Sequence, residues 1–199
     1  MSIIQGVVVA PGANPTGSNP QVPASPQGDL MVSEVHGKWY NASRNGHLWI
    51  AASLIAGVTI PVNTATAATF GIYNPPGSGI NVELVHFTFG TVAAGVATIG
   101  QLLATISKQL PTSVTAAVNT MNPMNPGSPS ATAFTVATFT ASTQHIPLVA
   151  AFATSSMTAT QYEFDGKLIL PPGWAMQITS SPVQSAVSMP SLAWTEWPV

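Results

Sequence analysis

Hydrophobic and polar positions along this chain alternate with a period of two over short stretches, the pattern of half-buried β-strands. Residues 81–90 show it best, with Val82, Leu84, His86 or Phe87, and Phe89 marking one face. Residues 174–179 repeat it, with Trp174, Met176 and Ile178 on one side, and residues 186–197 give a closing strand. Further runs rich in Val, Ile, Thr and aromatic residues predict strands at 30–40, 47–52, 58–61, 66–73, 134–140, 148–152 and 162–170. Residues 92–110 carry an apolar trace (Val96, Ile99, Leu102, Leu103, Ile106) that fits helix or strand; Gly95 and Gly100, each costing a helix about 1 kcal/mol relative to Ala, favour strand.

Turn chemistry punctuates these runs. Asn45-Gly46 can supply the positive φ angles of a tight hairpin between residues 30–40 and 47–52. The sequence Asn-Pro-Pro-Gly-Ser-Gly at 74–79 is a stop, residues 121–129 form a breaker-rich surface loop, and Pro171-Pro172-Gly173 is expected to reverse the strand before it. Eight or more short strands without a long helix predict an all-β fold, an antiparallel β-sandwich, and the strand count fits a jelly roll best.

The first 28 residues stand apart. Pro11, Pro15, Pro20, Pro23 and Pro26 block helix and ladder alike, so residues 1–28 are expected to be an extended arm ahead of a sandwich domain over 29–199. The segment reads either as a loose tail or as an arm laid across a neighbouring subunit, anchored by Ile3, Ile4, Val7, Val8 and Val9.

Composition changes the picture through charge. Only 5% of the 199 residues are charged, where about 25% is usual. The surface must then consist largely of Thr, Ser, Asn, Gln and small apolar side chains, which desolvate more cheaply than unpaired charges. Such a surface suits permanent contact, and a formal net charge of -2 gives a free monomer little protection against association. A homo-oligomer is expected. Lys38, Arg44, Lys108 and Lys167 are too scattered for a phosphate-neutralising stripe, so no nucleic-acid partner is expected. The start has no basic segment of a secretion signal and no apolar run reaches a membrane span, so neither secretion nor a membrane partner is expected. The absence of cysteine excludes disulfides and thiolate metal sites.

Candidate chemistry is sparse. His36, His47, His86 and His145 show no metal-ligand spacing, although His36 and His47 could meet across the first hairpin. Glu163 and Asp165, two apart in a predicted strand, would share a face, yet two acids are few for calcium, which takes six to eight oxygens. No nucleophile elbow or phosphate-binding loop occurs. No catalytic residue and no cofactor are expected. Trp39, Tyr40, Trp49, Trp174, Trp194 and Trp197 could line a sugar-binding groove, but core or subunit contacts are the expected place for most, with Trp194 and Trp197 as candidate interface residues.

Residues 165–179, a strand, a Pro-Gly corner and a second strand, resemble the last hairpin of virion jelly rolls. Together with residues 28–40, His47-Leu-Trp and the stretch 57–75 ending in Ile-Tyr-Asn-Pro, the chain from residue 28 onward is similar to minor structural proteins of tailed bacteriophages. That resemblance implies a virion protein assembled in the host cytoplasm, binding the major capsid protein or other virion proteins as a decoration or cement protein, as a trimer for preference. A receptor- or glycan-binding tip of a tail or head appendage is the alternative.

Overall fold

The computed structural model describes residues 38–53, 56–62, 67–68, 70–93, 101–108, 111, 113–116, 119–122, 124–139, 144–149, 159–181 and 187–199. The chain divides into two units, 1–38 and 39–199, and the sandwich is the second. The predicted arm and the Ile3, Ile4, Val7, Val8 and Val9 anchor lie outside the described residues.

Among the described residues one short helix, α1 (Tyr40–Arg44), precedes fourteen strands. They are β1 (Leu48–Ala52), β2 (Val58–Thr59), β3 (Ala67–Ala68), β4 (Gly71–Asn74), β5 (Ile80–Ala93), β6 (Gln101–Ser107) and β7 (Ser113–Ala116). There follow β8 (Asn119–Met121), β9 (Thr132–Thr138), β10 (Gln144–Val149), β11 (Ala159–Glu163), β12 (Ile169–Leu170), β13 (Trp174–Ser181) and β14 (Val187–Pro198). The first sheet runs β11-β5-β14-β1-β8, with β12 also on β5 and β2 on β14; the second runs β10-β6-β13-β4-β9-β3, with β7 also on β9. All these pairings are antiparallel. The protein is an all-β antiparallel sandwich.

The core lies between the sheets. Trp49, Val82, Leu84, Phe87, Leu192 and Trp194 of the first sheet meet Ile72, Leu102, Met176 and Ile178 of the second in one cluster. Burying each such side chain contributes roughly 1.5–3 kcal/mol. A second cluster of Phe134, Ala137, Phe139 and Ala175 lies apart from the first. Ala175 and Met176 are neighbours in β13, so they point to opposite faces of its sheet. Residues 102–107 of β6 and 175–180 of β13 are buried without alternation, as strands covered on both faces must be.

The alternation of β5 changes phase at a bulge. Ala193 pairs with His86 and Trp194 with Leu84, leaving Val85 without a partner on β14. The extra residue shifts the inward set from Val82 and Leu84 to Phe87 and Phe89, all buried. Phe87, not His86, thus faces the core. The same bulge interrupts the strand predicted at 162–170: β11 and β12 both pair with β5, but residues 164–168 leave the ladder, and the Phe164 amide donates to the Val85 carbonyl at 2.9 Å. Asp165 (φ 55°) and Gly166 (φ 75°) make the turn in left-handed conformations.

Three further expectations are corrected. Residues 38–46 form a turn and α1 rather than the end of a strand and a hairpin loop; residues 30–37 lie outside the described residues. Gly46, at φ 74°, closes α1 with the Gly46 amide donating to Ser43 and the His47 amide to Ala42. This is a Schellman end, which uses the same left-handed glycine as a hairpin turn. The predicted strand at 66–73 is divided by a bend at Phe70. Pro171-Pro172-Gly173 makes a corner between sheets, because β12 pairs with β5 of the first sheet and β13 with β4 and β6 of the second.

Residues 75–79, between β4 and β5, make a second such corner, and Asn74 joins the two. Its fully buried side-chain amide donates to the carbonyls of Ile80 and Leu170, both at 2.9 Å, while its side-chain oxygen accepts from the Ser78 hydroxyl at 2.6 Å. Its own carbonyl accepts from the Gly173 amide at 2.8 Å.

β14 is central despite containing Pro190. The Pro190 carbonyl accepts from the Ser53 amide, just past the end of β1. A strand residue's N–H and C=O point to the same side, so the donor that proline lacks would face the gap between β1 and β2, where the β1 ladder has ended.

Candidate interaction face

On the outer face of the first sheet large apolar residues are exposed toward the edges, whereas Ala193 and Thr195 of the central strand β14 are buried. The strand registers of this sheet place Met121, Ile50, Ala193, His86 and Glu163 in one outward row from β8 to β11. The next row holds Ala52, Ser191, Thr88 and Gln161, and Met189 and Gly90 stand beyond it. Toward the other end come Leu48, Thr195, Glu83 and Ile169, then Trp197 beside Asn81. Met121 (56%), Ile169 (53%), Trp197 (39%), Met189 (38%) and Ile50 (37%) are exposed.

These residues have a definite relief. Ile50 and Met121, opposite each other in register, make an apolar ridge. The outward residues of β14 between them and β5 are small: Ser191, Ala193 and Thr195. A shallow hollow of about 380 Å³ lies at one end, lined by Ala52, Thr88, Gly90, Met189 and Ser191 among others. A Cβ added at Gly90 would meet nothing within 4 Å.

Charge is scarce on this face. The strands of the β11-β5-β14-β1-β8 row contain no lysine or arginine. Glu83 and Glu163 are the outward carboxylates; Glu83 accepts from the Thr195 hydroxyl at 3.3 Å and Glu163 from the Gln161 amide. The Thr88 and Ser191 hydroxyls are hydrogen-bonded to each other. Polar groups are thus largely paired within the face, which lowers the cost of covering it.

At its Trp197 end the face is held by three segments. The ring of His47 stacks on Trp197 with centroids 4.6 Å apart, its Nδ1 lies 2.9 Å from the Glu196 carbonyl oxygen, and the Glu196 amide donates to the His47 carbonyl. The buried Glu196 carboxylate accepts from the amides of Ser130 at 3.0 Å and Ala131 at 2.9 Å, and from Trp194 Nε1 at 3.2 Å. The loop before β9 is thereby tied to β14. Asn122 fixes the start of that loop by donating to the Gly46 carbonyl at 2.7 Å.

The predicted site residues divide. Trp197 is on the outer face, with Nε1 donating to the Thr195 hydroxyl at 3.0 Å. Trp194 has no exposed surface and belongs to the core, so it offers nothing to another chain. The difference follows from strand parity, since positions 194 and 197 point to opposite faces. Ile50 and Met121, which read as ordinary apolar residues in the sequence, are exposed as well. His36 lies outside the described residues, and His47 is engaged by Trp197 and Glu196. Asp165 stands in the turn after β11, so it does not share a strand face with Glu163. Among the described residues no cluster of three or more potential metal ligands occurs, and no helix is long and apolar enough to cross a membrane.

Comparison with family models, curated proteins and solved structures finds no match to this chain.

Proposed function

We propose that this chain is a structural protein of a tailed-phage virion, a homo-oligomer that binds the particle surface as a decoration or cement protein. The observation that carries the reading is the outer face of the first sheet: five strands wide, without a lysine or arginine in those strands, with Ile50, Met121, Met189 and Trp197 exposed and the Thr88 and Ser191 hydroxyls paired. A face of this kind is suited to permanent burial rather than to reversible encounters steered by charge. The resemblance of residues 28–199 to phage structural proteins supplies the setting. The chain's repeated passage between the sheets, at 75–79 and 171–173 among other places, supports a jelly-roll arrangement for the sandwich.

The test is to purify particles from a host carrying the gene and from one in which it is deleted. The chain should copurify at a fixed ratio to the major capsid protein, and purified chain added back should rejoin deficient particles and raise their resistance to heat. A chain absent from purified particles would overturn the proposal.

A second reading, a receptor- or glycan-binding tip, rests on Trp197, an exposed indole braced by His47 beside the loop that Glu196 holds. Aromatic faces of this kind stack on sugars. Adsorption of the purified chain to host cells, lost in Trp197→Ala, would favour it; no adsorption removes it.

A further inference from the structure

We infer that the outer face of the first sheet pairs with the same face of a second copy of this chain, about a twofold axis passing near Ser191. This goes beyond the virion reading and holds for the isolated chain, whether or not it enters a particle.

In an isologous contact each feature of a face must find its complement on the same face. Here the Ile50–Met121 ridge and the hollow over Gly90 are such a pair. Counting residues along β14 and strands across the sheet puts them about 14 Å apart, about 10 Å in each direction. Their midpoint falls at the registered pair Ala52 and Ser191, both small. A twofold axis in the interface plane, bisecting the line from ridge to hollow, carries each copy's ridge onto the other's hollow.

The same construction fixes the crossing angle. The ridge-to-hollow line runs diagonally to the strands, so the axis does too, and the strands of the two copies cross at about 90°, one of the two regular ways in which sheets pack. Size agrees as well. The face spans about 24 Å across the strands and about 27 Å along them, so the pair would bury about 1,200 Å² in total, the lower end of stable protein interfaces. The five strands of the face contain no lysine or arginine, and its two carboxylates lie on the β5–β11 side, where the twofold sets Glu163 of one copy near Glu83 of the other at the rim.

The experiment uses the full chain. Sedimentation equilibrium across about a hundredfold range of concentration should give twice the 20.5 kDa chain mass. Ile50→Lys removes the ridge. Gly90→Leu fills the hollow where a side chain has open space in the monomer, so folding is preserved. Each should weaken pairing by about tenfold or more, with the far-UV spectrum and melting profile of the fold retained.

Because the chain has no cysteine, single thiols report geometry cleanly. Ser191→Cys should cross-link to dimer with a bismaleimide of about 10 Å span, whereas Gln161→Cys, about 20 Å from its counterpart, should not. A wild-type monomer or trimer, pairing unaffected by both Ile50→Lys and Gly90→Leu, or equal cross-linking at 161 and 191 would overturn the inference.

Discussion

The side-chain amide of Asn74 donates to the main-chain carbonyl of Leu170 across the two corners of the sandwich, at 2.9 Å and without exposed surface. One side chain thus joins the end of β4 to the end of β12, holding the place where the chain twice passes between sheets. Asn74→Ala would leave the Leu170 carbonyl without this buried donor and the Ser78 hydroxyl without its acceptor. We expect a loss of about 2–4 kcal/mol, read by urea denaturation. Ser78→Ala, which removes the partly buried bond to Asn74 and the longer one accepted from the Ile80 amide, should cost about 1 kcal/mol.

Gly71 and Gly90 make opposite predictions. A Cβ at Gly71 would lie 2.2 Å from the Met176 carbonyl oxygen and 2.5 Å from the Phe134 ring, whereas at Gly90 it would meet nothing. Gly71→Ala should cost about 3 kcal/mol or prevent folding, since the obstacle includes backbone of β13. Gly90→Ala should leave the unfolding midpoint of the monomer within about 0.5 kcal/mol of wild type.

The Glu196 carboxylate gathers two loop amides and an indole N–H. Glu196→Gln keeps the shape but turns an NH₂ group toward at least one of these donors. The expected cost is about 1–3 kcal/mol. Hydrogen exchange should locate it, with the Ser130 and Ala131 amides losing protection while those of β6 and β13 keep theirs.

Burial raises the pKa of the Tyr73 phenol above its ordinary value. Folding therefore favours the neutral form. Its contribution is fully present below the unfolded pKa, near 10, and is lost as pH rises through the higher folded value. Stability should fall with rising alkalinity above about pH 10, and Tyr73→Phe should flatten that fall. Phenolate absorbance in the two proteins identifies the late-titrating group.

If the first sheet self-pairs as inferred, the diagonal twofold brings Glu163 of one copy toward Glu83 of the other at the rim. Neutralising one side by Glu163→Gln should tighten pairing by about threefold at low salt and by less at physiological salt, where screening already acts. Sedimentation at two ionic strengths measures both.

How much of this was legible in the sequence varies with the physical event. β1 and β14 could be read as runs rich in apolar and aromatic residues and β13 from the alternation of Trp174, Met176 and Ile178, although the structure buries both faces of β13; residues 101–107 could be read because nearby glycines disfavour helix. Parity could also have separated Trp194 from Trp197. The Schellman end at Gly46 could not be told from a hairpin, as both need the same left-handed glycine. The break at 164–168 belongs to a bulge at Val85 on another strand, and no local pattern carries that pairing. Turn residues at 171–173 report a change of direction, but not that the strands on either side join different sheets. The outer face of the first sheet was the least legible element: Ile50 and Met121 differ from core residues only in the register that turns them outward.

The proposed virion role requires the outer face of the first sheet to be covered by protein in the particle. A reconstruction of the assembled particle tests this most directly. It should show the sandwich at symmetry-repeated positions, with Ile50, Met121 and Ser191 buried against protein. Particles without the chain, or a sandwich whose first sheet faces solvent at every position, would rule that role out.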